Sequence, residues 1–113
     1  MTTFPDDKIR IILNNIKSNP FEYDTERFHI LIFENKKEHP SLFREFSFKT
    51  NGTFPYSDLL ERIIMRGIIS GCLHTCDNKM FLLCKTQNDV LYSKHMELSR
   101  EDFKILSEIG EGW

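Results

Sequence analysis

The 113-residue chain predicts an α+β fold of about four helices with a small antiparallel sheet. Three observations carry that expectation. Apolar residues recur at helical spacing in several stretches, each bounded by a cap or a breaker. The stretch Phe46 to Cys84, FSFKTNGTFPYSDLLERIIMRGIISGCLHTCDNKMFLLC, runs strand, tight turn, capped helix and hairpin. Ten phenylalanines are spread over every segment, and such large rings give each segment an anchor in one shared core. A single domain over residues 1–113 follows, and the succession in Phe46–Cys84 is the order of a winged helix-turn-helix core.

Pro5 suits a first helical turn, and Asp6 and Asp7 favour the positive end of a helix dipole. Ile9, Ile12, Leu13 and Ile16 form one face, and Asn19-Pro20 stops the run, so a helix is expected from about Asp6 to Ser18. Asp24 and Thr25 are both plausible N-caps of a second helix with Phe28, Leu31 and Ile32 buried. The run FHILIF also suits a buried strand, but the polar helix formers from Glu34 to Glu38 tip it to helix, ending before Pro40.

Phe46 and Phe48 alternate with Glu45, Ser47 and Lys49, the period of a half-buried strand, and Asn51-Gly52 signals a turn. Ser57 caps the central helix; Leu60, Ile63 and Ile64 face inward, and Leu59 sits at the edge of that face. Gly67 is expected at the left-handed position that ends the helix, with Ile68-Ile69 re-entering the core. Strands are expected over Cys72–Thr75 and Met80–Lys85 around Asp77-Asn78, with Val90–Tyr92 pairing alongside after the polar loop Thr86–Asp89. Ser99 to Asp102 is a capping-box variant for a last helix that buries Phe103, Leu106 and Ile109 and ends at Gly110. The indole of Trp113 either tucks back or awaits a partner.

Composition narrows the function. Hydrophobic residues at 40% and charged residues at 28% are ordinary for a globular domain, and the net charge of −2 lacks the basic excess of most nucleic-acid binders. Met1–Arg10 holds two aspartates and no apolar signal-like run, and no stretch reaches the roughly 20 apolar residues of a membrane span. With three cysteines, an odd number, a cytoplasmic protein with reduced thiols and no membrane association is expected.

Cys72, His74 and Cys76 alternate, with Cys84 following, and form the one candidate metal or redox set. Alternate strand residues lie roughly 6.5–7 Å apart, too spread for a tetrahedral site without a bulge, so buried packing is the preferred reading. His29, His39, His74 and His95 fall in no nucleophile signature, and no glycine-rich phosphate loop is present. No catalytic residue and no cofactor is expected, and the chain reads as a non-enzyme.

As a recognition helix the central element leads with acid. Its expected outward residues are Asp58, Glu61, Arg62, Met65 and Arg66, and a DNA reader exposes basic or amide groups in the leading half. Lys36, Lys37, His39, Arg44 and Lys49, with Lys8, Arg10 and Lys17, are interleaved with acids and read as a mixed-charge solvated surface. The segment Gly52-x-x-Pro55-Tyr56-Ser57-x-x-Leu60-x-x-x-Ile64-x-x-Gly67-Ile68-Ile69 resembles a pattern of small bacterial and phage winged-helix-like proteins, the Panacea or SocA-like antitoxin group. That resemblance implies a regulatory, antitoxin-like binding role and carries over no catalytic residue.

The leading expectation is therefore a regulatory module of antitoxin, immunity or phage–host type that binds a protein partner. The alternative is a sequence-specific DNA-binding regulator, a homodimer contacting DNA through Arg62, Arg66 and Lys79.

Overall fold

The computed structural model describes residues 5–18, 20–77, 79–82 and 99–113. They form an α+β arrangement of four helices and an open three-stranded antiparallel sheet. The helices are α1 (Pro5–Asn14), α2 (Thr25–Glu38), α3 (Asp58–Ile69) and α4 (Arg100–Glu111). The strands are β1 (Phe21–Glu22), β2 (Leu73–Cys76) and β3 (Lys79–Leu82), in the order β1-β3-β2. Among the described residues no helix is long and apolar enough to cross a membrane.

α1 is wrapped on nearly all sides: Ile9, Ile11, Ile12, Leu13 and Ile16 are buried, and so are Lys8 and Asn14. The expected helix to Ser18 stops four residues early. The amides of Asn15 and Ile16 bond three residues back, to the Ile12 and Leu13 carbonyls, which tightens the last turn and ends the α register. Lys8 is not part of a solvated surface. Its Nζ donates to the Leu42 carbonyl at 2.7 Å and to both oxygens of Glu45 at 3.0 Å, fixing α1 to the turn that buries Leu42, Phe43 and Phe46.

α4 lies along α1, and one glycine sets their spacing. Gly110 does not end the helix, which runs on to Glu111 with Gly112 as its cap. A Cβ at Gly110 would stand 2.1 Å from the Ile12 carbonyl oxygen, so this position is glycine because another backbone crosses it. Ser99 is the N-cap as expected, its Oγ accepting from the Asp102 amide at 3.0 Å.

α2 begins on Asp24, whose side chain accepts from the Arg27 amide, and buries Phe28, His29 and Ile32, with Leu31 half-buried. Residues 46–48 alternate in burial as their pattern requires, but they pair with nothing as a strand. The extended stretch contributes one isolated bridge, Lys49 to Tyr56, because Phe46 and Phe48 are held by rings and the core rather than by a neighbouring strand.

β2 and β3 form the expected hairpin, joined through Asp77 at φ 51°, a left-handed residue of the kind tight hairpin turns demand. Its register places Leu73 opposite Leu82 and Thr75 opposite Met80, on the face that meets the core. The third strand among the described residues is Phe21–Glu22, paired with Met80 and Lys79. Two residues carry no period, so nothing in the sequence marks this strand. The expected strand Val90–Tyr92, the loop before it, residues 83–85 of the expected hairpin strand, Cys84 and His95 lie outside the described residues.

Trp113 tucks back. Its Nε1 donates to the Glu22 carbonyl at 3.0 Å, its ring meets Phe21 and Phe28 edge-on, and the Arg27 guanidinium lies 4.3 Å from its centroid. One indole thus joins β1, α2 and the end of α4.

Candidate functional site

α3 has a firmly held start and a differently built end. Ser57 is the N-cap, with extended backbone and its Oγ accepting from the Leu60 amide at 3.2 Å. Its own amide donates to Nδ1 of His29 at 3.1 Å, and Nε2 of that ring sits 3.2 Å from Glu61 Oε2. This fixes the tautomer: Nδ1 presents its lone pair to the Ser57 N–H, and Nε2 carries the proton toward the carboxylate. His29 is 0% exposed and stacks on Tyr56 at 4.7 Å and 6°, with Phe54 at 5.9 Å. The Tyr56 hydroxyl is pushed up by burial and by the Glu61 and Asp58 carboxylates, with Lys49 opposing. Burial first, and then Glu61, raises the Tyr23 hydroxyl as well.

This is a histidine–carboxylate pair, yet it does not amount to a catalytic one. A general base needs an open ring nitrogen within reach of a proton to abstract. Both nitrogens of His29 are engaged, one by backbone and one by Glu61. The node fixes where α3 starts and at what angle it meets α2. Glu61, expected to face outward, is turned onto this ring. Position 29 was legible only as one place after Phe28 in an apolar run.

The three candidate nucleic-acid contacts have different surroundings. Arg66 is clamped by Asp6 in a fork, Nε to Oδ2 and Nη2 to Oδ1 both at 2.8 Å, which also raises its pKa. Lys79 lies opposite Glu22 in the sheet and shares a polar cleft with Glu22, Asp24 and Asp77, three carboxylates that oppose a phosphate. Arg62 is exposed on α3. The wider basic set is similarly committed: Lys8 to Glu45, Lys36 to the Phe46 carbonyl, Lys49 to Asp58 at 3.1 Å and Lys37 to Glu34.

The described cysteines and His74 do not converge. Cys72 is half-buried with an Arg10 guanidinium nitrogen 3.7 Å from its sulfur, a cation where a metal would need to sit. The His74 ring leans on Phe81 at 6.0 Å, and Cys76 is exposed beside Asp77. Among the described residues no three His, Cys, Asp or Glu side chains are grouped to hold a metal.

The end of α3 departs most from expectation. Gly67 does not terminate the helix; it lies inside it, where a Cβ would stand 2.6 Å from Leu73 Cδ1. The left-handed residue is Gly71, at φ 84°. The Cys72 amide bonds the Gly67 carbonyl and the Gly71 amide bonds the Ile68 carbonyl, the paired closure of a Schellman motif. Because the helix continues past Gly67, Ile69 does not enter the core. It follows Met65 by four residues and points outward.

Ile69 is 80% exposed and Met65 45%, and they are the exposed large hydrophobic residues among those described. With Asp58 and Arg62 they make a stripe at spacings of four, three and four along α3. Beside this stripe, between α1, α3 and the sheet, lies a cavity of about 250 Å³. Ile9, Leu13, Ile63, Ile64, Leu73 and Leu82 line it, and Asp6, Asp7, Arg10 and Arg66 stand at its rim. The surface therefore offers apolar contact and balanced charge, the elements of a protein-binding face. Compared with known proteins, the chain matches no family model, and no curated protein or solved structure shows significant similarity to it.

Proposed function

We propose that this chain is a winged-helix-like, non-enzymatic module that binds a protein partner through the outer face of α3. Its role is regulatory, of antitoxin, immunity or phage–host type. The observation that carries the reading is the Met65–Ile69 pair, held in water on a helix whose opposite face is buried. Large apolar side chains grouped on a polar-rimmed surface mark interaction sites. The element order α1-β1-α2-α3-β2-β3, with the hairpin directly after α3, supports the winged-helix reading. In that architecture α3 takes the position of a recognition helix, and here it presents Asp58, Arg62, Met65 and Ile69 where a DNA reader presents bases and amides.

Titration against random duplex DNA at low and high salt separates this reading from its rival. No salt-sensitive binding is expected. Binding that falls steeply with salt and disappears in an Arg62→Ala/Arg66→Ala variant would instead identify a DNA-binding regulator. Cross-linking from the native cell should recover a partner that Ile69→Lys loses and Lys104→Glu, on α4, keeps. A partner retained by Ile69→Lys would remove α3 from the interface.

A further inference from the structure

Two features at the end of α3 have complementary chemistry. Ile69 is a branched aliphatic knob standing 80% in solvent. The cavity beside it is lined by six aliphatic side chains, and Gly67 and Ser70 of the same helix end form part of its wall. At about 250 Å³ it falls short of the roughly 300–1,000 Å³ of a small-molecule site, so one inserted side chain suits it better than a free ligand.

We propose that the partner of this face is a second copy of the chain, with each copy's Ile69 seated in the other's cavity. The inference rests on the reading of α3 as a protein-binding helix and names what it binds. A twofold contact is isologous: one patch must carry both the knob and the hole, so that each copy gives and receives. Ile69 lies one residue from Ser70 on the cavity wall, which puts both parts on one patch. The charges allow it as well. The rim holds two acids, Asp6 and Asp7, against two bases, Arg10 and Arg66, and the stripe holds Asp58 against Arg62. Two copies therefore meet without an excess of either sign, whereas a strongly acidic or basic partner would find no matching field.

Sedimentation of the full chain from micromolar to near-millimolar concentration tests the proposal. The wild type is expected to show a monomer–dimer equilibrium. Ile69→Asp removes the knob and Ser70→Phe fills the hole, and each should weaken dimerisation by about tenfold or more, since both copies lose their contact. Circular dichroism checks that both variants, altered at exposed positions, keep the fold. Mixing the two variants decides the geometry. The Ser70→Phe chain still has a knob and the Ile69→Asp chain still has a hole, so the mixture should associate more tightly than either variant alone. A wild type that stays monomeric, or a mixture no tighter than its components, overturns the proposal. In the monomeric case, a native partner lost in Ile69→Lys but kept in Lys104→Glu would leave the protein-binding reading standing with a different partner.

Discussion

The two ends of α3 are built on opposite terms. At its start each polar group has a partner and each ring is stacked: Ser57 caps the helix, His29 receives the Ser57 amide, Glu61 receives His29, and Lys49 holds Asp58. At its end the backbone closes correctly through Gly71, but Met65 and Ile69 are left in water above an apolar cavity. Nothing in helix propensity requires this difference. A start that is over-determined holds the helix in place, and an end left apolar and exposed is then presented at a fixed angle. Stability and recognition are divided along one element of 12 residues.

If that division is right, substitutions at the start should cost stability and those at the end should not. The largest effect is expected at His29. His29→Ala leaves the buried Ser57 amide without its acceptor, opens a cavity and removes the Tyr56 stack, together about 3 kcal/mol. His29→Phe keeps the stack and most of the volume and isolates the lost hydrogen bonds, at about 2 kcal/mol. Urea denaturation measures both. Equal costs for the two variants would show that packing contributes little, and a cost near zero would remove the node as the anchor of α3.

Ser57→Ala should follow, at about 1 kcal/mol for the lost N-cap bond to the Leu60 amide, with Ser57→Gly costing a few tenths relative to serine. Next is Gly71→Ala. No atom lies within 4 Å of the Cβ it would add, so the cost is backbone strain alone, about 1 kcal/mol for a left-handed residue. Gly67→Ala is the contrasting substitution three residues closer to the cap. Its backbone is ordinary helix, a gain of about 0.5–1 kcal/mol, but its Cβ meets the end of the Leu73 side chain at 2.6 Å. If Leu73 rotates away, the sum stays near zero; a loss well above that of Gly71→Ala would show that Leu73 is held rigidly by Leu82 across the hairpin.

Much of this frame was legible in the sequence, for reasons that separate local from non-local physics. The caps at Ser57 and Ser99, the inward residues Leu60, Ile63 and Ile64, and the Asp77 hairpin turn depend on neighbours within four residues. Gly67 misled because GIISG holds two glycines and either can close a helix. Leu73 decides between them by leaving room for the helix to run on past Gly67, and Leu73 is a tertiary contact. The same slip buried Ile69 in expectation and exposed it in fact, so the most useful residue of the candidate site was misplaced by one cap. Lys8 and His29 were missed because their partners, Glu45 and Ser57, lie 37 and 28 residues away. Lys8 did share the i, i+3, i+4 spacing of Ile11 and Ile12, a signal that placed it on a buried face. The strand expected over Phe46–Phe48 shows the converse, since alternation reports burial on two sides and not the presence of a pairing strand.

The smallest stability effect is expected at Ile69, and it is the one that separates the two ends most sharply. Replacing a buried isoleucine by a charge is severe, but Ile69 is already 80% in water and packs on little of its own chain. Ile69→Lys should leave the unfolding free energy within about 0.5 kcal/mol of wild type, the range of surface substitutions away from structural features. A lysine in the last turn of α3 also meets the negative end of the helix dipole, which adds a few tenths of a kcal/mol in the stabilising direction. A loss of about 2 kcal/mol would mean that Ile69 packs into its own chain's cavity in solution, and the knob would then belong to the core. An unchanged midpoint together with weakened association would place its apolar surface outside the fold's own stability and within its binding.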